Sequence, residues 1–139
     1  MTEILRKLPS AQKTRQSTIR WKDFETIMLE VERTDISLEY RALLNLMWSE
    51  MKSEEILNLY VSDVDFEKRL ITSPASGKTF RITQKAWDAL EEYKLVDKRG
   101  KAERLFSIGL RSLQHTTKKY LGMHGLTPNK IRESCIARN

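Results

Sequence analysis

The feature that most limits how this chain can fold is a change in the spacing of its apolar residues. Over most of the length they recur every three or four positions, the period of an amphipathic helix. In VSDVDFEKRLITSPASGKTFRIT, from Val61 to Thr83, that period stops. A strand-like run around Ile71 and the run TFRIT flank a Pro/Ser/Gly turn, which signals a small β-hairpin. The pattern shows no internal repeat and no second domain. The expectation is an α+β fold, mainly helical, with helices around one small antiparallel hairpin or sheet.

The helical segments can be placed by their caps. Ser17 or Thr18 is expected to cap a helix over about 19–32, with Trp21, Phe24, Ile27, Met28 and Val31 on one face. After the turn RTDIS, Ser37 caps a second helix carrying Leu38, Ala42, Leu43, Leu46 and Met47 at helical spacing. A short third helix, SEEILNL, starts with Ser53 as its cap and turns Ile56, Leu57 and Leu59 inward. Thr83 caps the helix after the hairpin, with Ala86, Trp87, Leu90 and Tyr93 inward. DKRGKAE reads as a charged loop and RLFSIG as a turn or brief helix. RSLQHTTKKYLGMHG reads as a helix ending at Gly122 or Gly125. Pro128 suits the first turn of a last helix, NKIRESCIA.

Composition narrows the function classes. With 139 residues, 40% of them hydrophobic and 32% charged, the chain reads as one soluble domain with a real core. One cysteine, Cys135, excludes a disulfide framework, and no Cys/His cluster has zinc spacing, so neither a metal nor another cofactor is expected. No apolar run approaches the ~20 residues of a membrane span, and the start MTEILRKLPSAQKTRQ has no signal-peptide core. The expected location is cytoplasmic, with no membrane partner.

The net charge of +6 hides a strong asymmetry. Residues 1–22 carry six basic and one acidic residue, residues 23–93 eight and fifteen, and residues 94–139 eleven and three. Basic ends around an acidic middle suit a polyanionic partner, because clustered Lys and Arg displace counterions from phosphates. The same charges suit an ordinary solvated surface, and charge alone leaves both readings open. Residues 1–16 lack periodicity and read as a flexible basic arm.

Three stretches, in order, resemble the catalytic domain of tyrosine recombinases, the phage-integrase family. RALLNLMWSEMKSEEILNLYVSDVDFEKRLIT is similar to that family's helix, arginine-bearing turn, short helix and first strand. GKTFRITQKAWDAL is similar to its Gly-Lys hairpin and following helix. LTPNKIRESCIA is similar to the segment the family writes Thr-Pro-His-x-Leu-Arg-His. The resemblance covers residues 18–138 and marks 17–139 as an integrase-like catalytic domain, truncated as it stands.

That resemblance implies a pocket for a scissile DNA phosphate, held by two arginines, a hairpin lysine and His-like donors, and attacked by a tyrosine. Cationic donors fixed in advance stabilise the charge that grows on a pentavalent phosphorus. The matching positions here are Lys52 for the first arginine, Lys78 for the hairpin lysine, Asn129 for the histidine and Arg132 for the second arginine. Lys52 keeps the charge without the planar fork, and Asn129 donates a hydrogen bond without shuttling a proton. Seven residues follow Arg132, and Tyr40, Tyr60, Tyr93 and Tyr120 all precede it. Tyr40, Tyr60 and Tyr93 read as half-buried, and none of the four matches the nucleophile by order. The expectation is therefore a degenerate pocket in a protein that is not an enzyme. Glu50, Glu54 and Glu55 lie close enough to Lys52 in sequence to neutralise part of such a pocket.

The resemblance also makes RSLQHTTKKY the helix that approaches a DNA groove, with Arg111, Gln114, His115, Lys118 and Lys119 at i, i+3, i+4, i+7 and i+8 spacing. Lys and Arg there suit phosphates, Gln114 and His115 suit base edges, and Arg6, Lys7, Lys13, Arg15 and Arg20 suit a wrapping arm. Double-stranded DNA is the expected partner, beside an integrase or a second copy of this chain. The leading reading is an inactive DNA-binding regulator or accessory factor of a phage, virus or other mobile element. Two alternatives stand beside it. One is a fragment of an active integrase, serving DNA integration and recombination, whose tyrosine lies elsewhere. The other is a protein-docking module that modulates an integrase.

Overall fold

The computed structural model describes residues 18–138; the basic arm expected over residues 1–16 lies outside the described residues. The first helix, α1 (Trp21–Val31), begins later than its sequence suggested, and its N-cap is not Thr18; Ser17 lies outside the described residues. Arg20 holds the N-cap in an extended conformation without a side-chain bond, and its carbonyl accepts from the Asp23 and Phe24 amides. The start is set by packing: Trp21 and Phe24 close on Trp48, with ring centroids 5.5 and 5.1 Å away. Phe24, Met28 and Val31 form the buried face of α1.

Helix α2 (Leu38–Leu46) starts where expected, with the Ser37 hydroxyl accepting from the Tyr40 amide. Helix α3 (Ser53–Leu57) differs by one residue at its start. Lys52 is the N-cap, and Ser53 is already helical. Lysine has no side-chain acceptor to offer, so the capping comes from inside the helix, where the Glu55 carboxylate takes the Lys52 amide at 2.9 Å.

The segment without helical period forms a three-stranded antiparallel sheet in the order β1 (Val64–Asp65), β2 (Leu70–Thr72), β3 (Thr79–Phe80). Val64 pairs with Ile71, and Ile71 with Phe80. Asp65 Oδ1 accepts from the amides of Glu67 and Lys68 in the first turn, which Arg69 closes with φ of 57°. Gly77 takes φ of 74° in the second turn, immediately before Lys78.

Helix α4 (Gln84–Val96) is capped by Thr83 and buries Ala86, Trp87, Leu90 and Tyr93. Its main partner is α2. Tyr93 is buried rather than half-buried, stacked on Phe106 at 5.6 Å with its hydroxyl donating to the Leu105 carbonyl at 2.7 Å. RLFSIG is neither turn nor helix. The Leu105 amide donates to Leu59 O and the Val61 amide to Glu103 O, so the stretch lies extended against residues 59–61 and drives Leu105 and Phe106 into the core. Helix α5 (Leu110–Leu121) runs into a 3-10 turn, Gly122–His124, that Gly125 ends at φ of 72°. Helix α6 (Pro128–Arg138) begins at the expected proline and is tied to residue 19, whose amide donates to the buried Ser134 hydroxyl at 2.9 Å.

The described residues thus form six α-helices and one small antiparallel sheet, the mainly helical α+β fold that the sequence periods require. No helix among them is long and apolar enough to cross a membrane.

Candidate nucleic-acid interface

A cavity of about 750 Å³ opens between α3, α5 and the start of α6. Lys52, Ser53 and Glu54 line it from the first turn of α3. Helix α5 contributes Leu110, Gln114, Thr117 and Lys118, which follow the i, i+4, i+7, i+8 stripe of one helix face. The turn adds Gly122, Gly125, Leu126 and Thr127, and α6 adds Pro128, Asn129 and Arg132. Three cations and one carboxylate therefore face one space.

Each of these groups is positioned by its own local chemistry. Lys52 stands at the exposed N-cap of α3, held there by the Glu55 carboxylate. Arg132 reaches back across the fold, its Nε donating to the Glu50 carbonyl at 2.8 Å. That bond fixes the guanidinium beside the Lys52 segment, although 80 residues separate the two in sequence. Asn129 is exposed in the first turn of α6, where the Thr127 hydroxyl accepts from the Lys130 amide at 3.2 Å. Pro128 and Asn129, the first two residues of this 11-residue helix, line the cavity, which puts the positive end of the helix beside it. A Cβ on Gly122 would stand 3.3 Å from Lys118 Cγ, so glycine leaves room for the lysine stem to cross the turn.

Lys78 does not line the cavity but sits on the hairpin turn tied to its rim. The Ser73 and Ser76 hydroxyls donate to Glu55 Oε2 at 3.0 and 3.2 Å, while Glu55 Oε1 holds the Lys52 amide. One carboxylate thus fastens the Lys78 turn to the Lys52 cap. Burial opposes ionisation of Glu55, but the Lys52 amide, the two hydroxyls and the Lys52 charge outweigh it and hold the carboxyl below its usual range.

The three neighbouring glutamates divide. Glu54 lines the cavity, Glu55 is spent on the hairpin tie, and Glu50 contributes its carbonyl to Arg132. Helix α5 divides as well. Arg111, Gln114, His115, Lys118 and Lys119 are all exposed, yet only Gln114 and Lys118 line the cavity. Arg111, His115 and Lys119 lie outside it, with the Lys119 ammonium 5.2 Å from the Tyr120 ring centroid. None of the four tyrosines lines the cavity. No cluster of three His, Cys, Asp or Glu side chains that could hold a metal exists among the described residues.

Sequence reasoning placed Glu54 beside Lys52 but missed Ser53, Leu110, Thr117 and the Gly125–Pro128 turn as parts of this site. The one signal available for Leu110 was its place four residues before Gln114, on the same helix face.

No family model matches this chain, and neither does any curated protein. A solved structure does: the crystal structure of XerA recombinase, at a TM-score of 0.69 and 16% identity, over 87% of this chain and 50% of that one. The chain therefore spans half the length of the recombinase chain it matches. This finding corrects the expectation that the protein is not an enzyme. The protein matched is an enzyme, and Lys52, Asn129 and the order of the tyrosines do not establish a loss of activity. The described residues share the fold of a recombinase.

Proposed function

We propose that this chain is the phosphate-holding part of a tyrosine-recombinase-type catalytic domain, acting on double-stranded DNA in recombination or integration. The observation that carries this reading is the meeting of Lys52, Asn129 and Arg132 in one cationic cavity, on a fold shared with a recombinase. Three cations against one carboxylate favour an anion there, and Arg132, fixed through Nε, suits a phosphodiester oxygen pair. The Lys78 turn, fastened to the same rim by Glu55, adds a fourth cation near the site. Such groups stabilise the charge that develops on a phosphoryl group during transfer. In this reading the attacking tyrosine comes from a segment outside this sequence or from a partner subunit. Arg111, His115 and Lys119, on the outer face of α5, contact the flanking DNA backbone.

The test is binding to a labelled duplex across a salt series. Affinity should fall steeply with salt, and Lys78→Ala with Arg132→Ala should lower the slope of log K against log salt by about 2. Absence of binding by the wild type at low salt overturns the reading. Where binding holds, adding a tyrosine-bearing recombinase C-terminal peptide should produce cleavage of a nicked duplex that Arg132→Ala abolishes.

A further inference from the structure

The cavity is larger and more apolar than a phosphate clamp requires. About 750 Å³ lies within the range of pockets that enclose a drug-sized organic ligand, and such pockets pair an apolar wall with a few placed polar groups. Here the wall is built from Leu110, Leu126 and Pro128, and the polar groups are the cations and the Gln114 amide. Leu110 keeps 39% of its surface exposed although it heads a helix face that otherwise turns polar or buried groups to the cavity. From Leu110 to Lys118 the α5 stripe runs about 12 Å, so an anionic end and an apolar region can be occupied together by one extended ligand. A carboxamide in the middle of that stripe can both donate to and accept from a base edge.

We infer that this cavity is a nucleotide subsite, taking a phosphodiester together with the nucleoside attached to it. This rests on the reading of the site as a DNA-phosphate pocket and goes beyond it. The phosphate lies with Lys52, Lys118 and Arg132. The base or sugar packs on Leu110 and Pro128, within reach of Gln114. A nucleoside seated this way is unstacked from its duplex neighbours, so the subsite favours a nicked, frayed or single-stranded position over an intact one.

The test compares two ligands of equal charge, dimethyl phosphate and the dinucleoside monophosphate TpT, by amide chemical-shift titration of the full chain. A 30-base-pair-scale duplex, long enough for several phosphate contacts, serves as the control for the DNA reading. TpT should bind about tenfold tighter than dimethyl phosphate, in keeping with burial of a base on an apolar wall. Leu110→Ala, at a half-exposed position where folding is not at stake, should remove most of that advantage and leave dimethyl phosphate binding unchanged. Gln114→Ala should reduce it independently, and Arg132→Gln should weaken both ligands. Equal affinity for the two ligands overturns the inference in favour of a simple phosphate clamp. So does a TpT advantage that survives Leu110→Ala and Gln114→Ala together. If the duplex binds and TpT does not, only the nucleotide subsite fails. If neither binds, the DNA reading fails with it.

Discussion

At Arg69 the backbone takes a conformation that side chains resist, and the side chain offsets the cost. Its φ of 57° lies in the left-handed region, which penalises a Cβ by roughly 1–2 kcal/mol. Against that, Nη1 donates to Gln84 Oε1 at 2.8 Å and the guanidinium lies 5.7 Å from the Trp87 ring centroid. Arg69→Ala keeps the strain and loses both contacts, so it should destabilise by about 1 kcal/mol. Arg69→Gly removes the strain and should be more stable than Arg69→Ala by about 1 kcal/mol. Urea unfolding of the two variants checks the order, and an alanine variant as stable as the glycine variant refutes this account. The site was legible at the same scale only in part. Lys52, Asn129 and Arg132 could be named from motif order, because each belongs to a short segment with its own local pattern. Glu55 could not be singled out as the hairpin tie, because its hydroxyl partners Ser73 and Ser76 lie about twenty residues on and nothing local links them.

Elements are joined by side chains whose partners lie far along the chain. Where α1 ends, Glu32 meets Lys85 of α4 at 2.7 Å and Asn45 of α2 at 2.9 Å, with Arg41 Nε at 3.5 Å. Arg41 also pairs with Glu92 of α4. These groups are mostly shielded, with side-chain exposures of 13% for Glu32 and 15% for Lys85. Removing one partner strands the others in a poorly solvated seam, so Glu32→Ala should cost about 3 kcal/mol in urea unfolding. Asp23→Ala provides the contrast. Asp23 pairs with Arg20 at 3.8 Å on the exposed surface, the two side chains being 56% and 88% exposed, and its loss should be barely measurable. If the two variants lose the same stability, burial is not what distinguishes these pairs. The helices themselves were legible because their apolar period, the Ser37 and Thr83 caps and Pro128 are local signals. The starts of α1 and α3 were not, since Arg20 and Lys52 become N-caps only through Trp48 packing and the Glu55 carboxylate.

For the whole molecule, the carboxyls of Glu32 and Glu55 contribute to the response to acid. Burial opposes ionisation of Glu32, but hydrogen bonds from Lys85 and Asn45 and the charges of Lys85 and Arg41 prevail and lower its pKa. Glu55 is lowered as well. A carboxyl titrating lower in the folded state contributes stability that is complete above its ordinary value of 4.5 and is lost as pH falls through the lowered one. Their contribution should be constant from neutral pH down to that value and then decline. Glu55→Gln should flatten part of the decline and leave the pH dependence in the neutral region unchanged, which thermal melts across pH can measure. What the sequence by itself determined is the class of fold and the kinds of side chain available: helical periods, one hairpin, basic ends and a set of phosphate-binding residue types. Those follow from interactions within a few positions, which the order of residues specifies directly. Only the tertiary structure decided that Arg132 bonds to the Glu50 carbonyl, that Glu55 fastens the hairpin to α3, and that Gln114 and Lys118 face the cavity while Arg111, His115 and Lys119 do not. These are contacts between segments distant in the chain, and they exist only once packing of the apolar faces has fixed how the helices sit against one another.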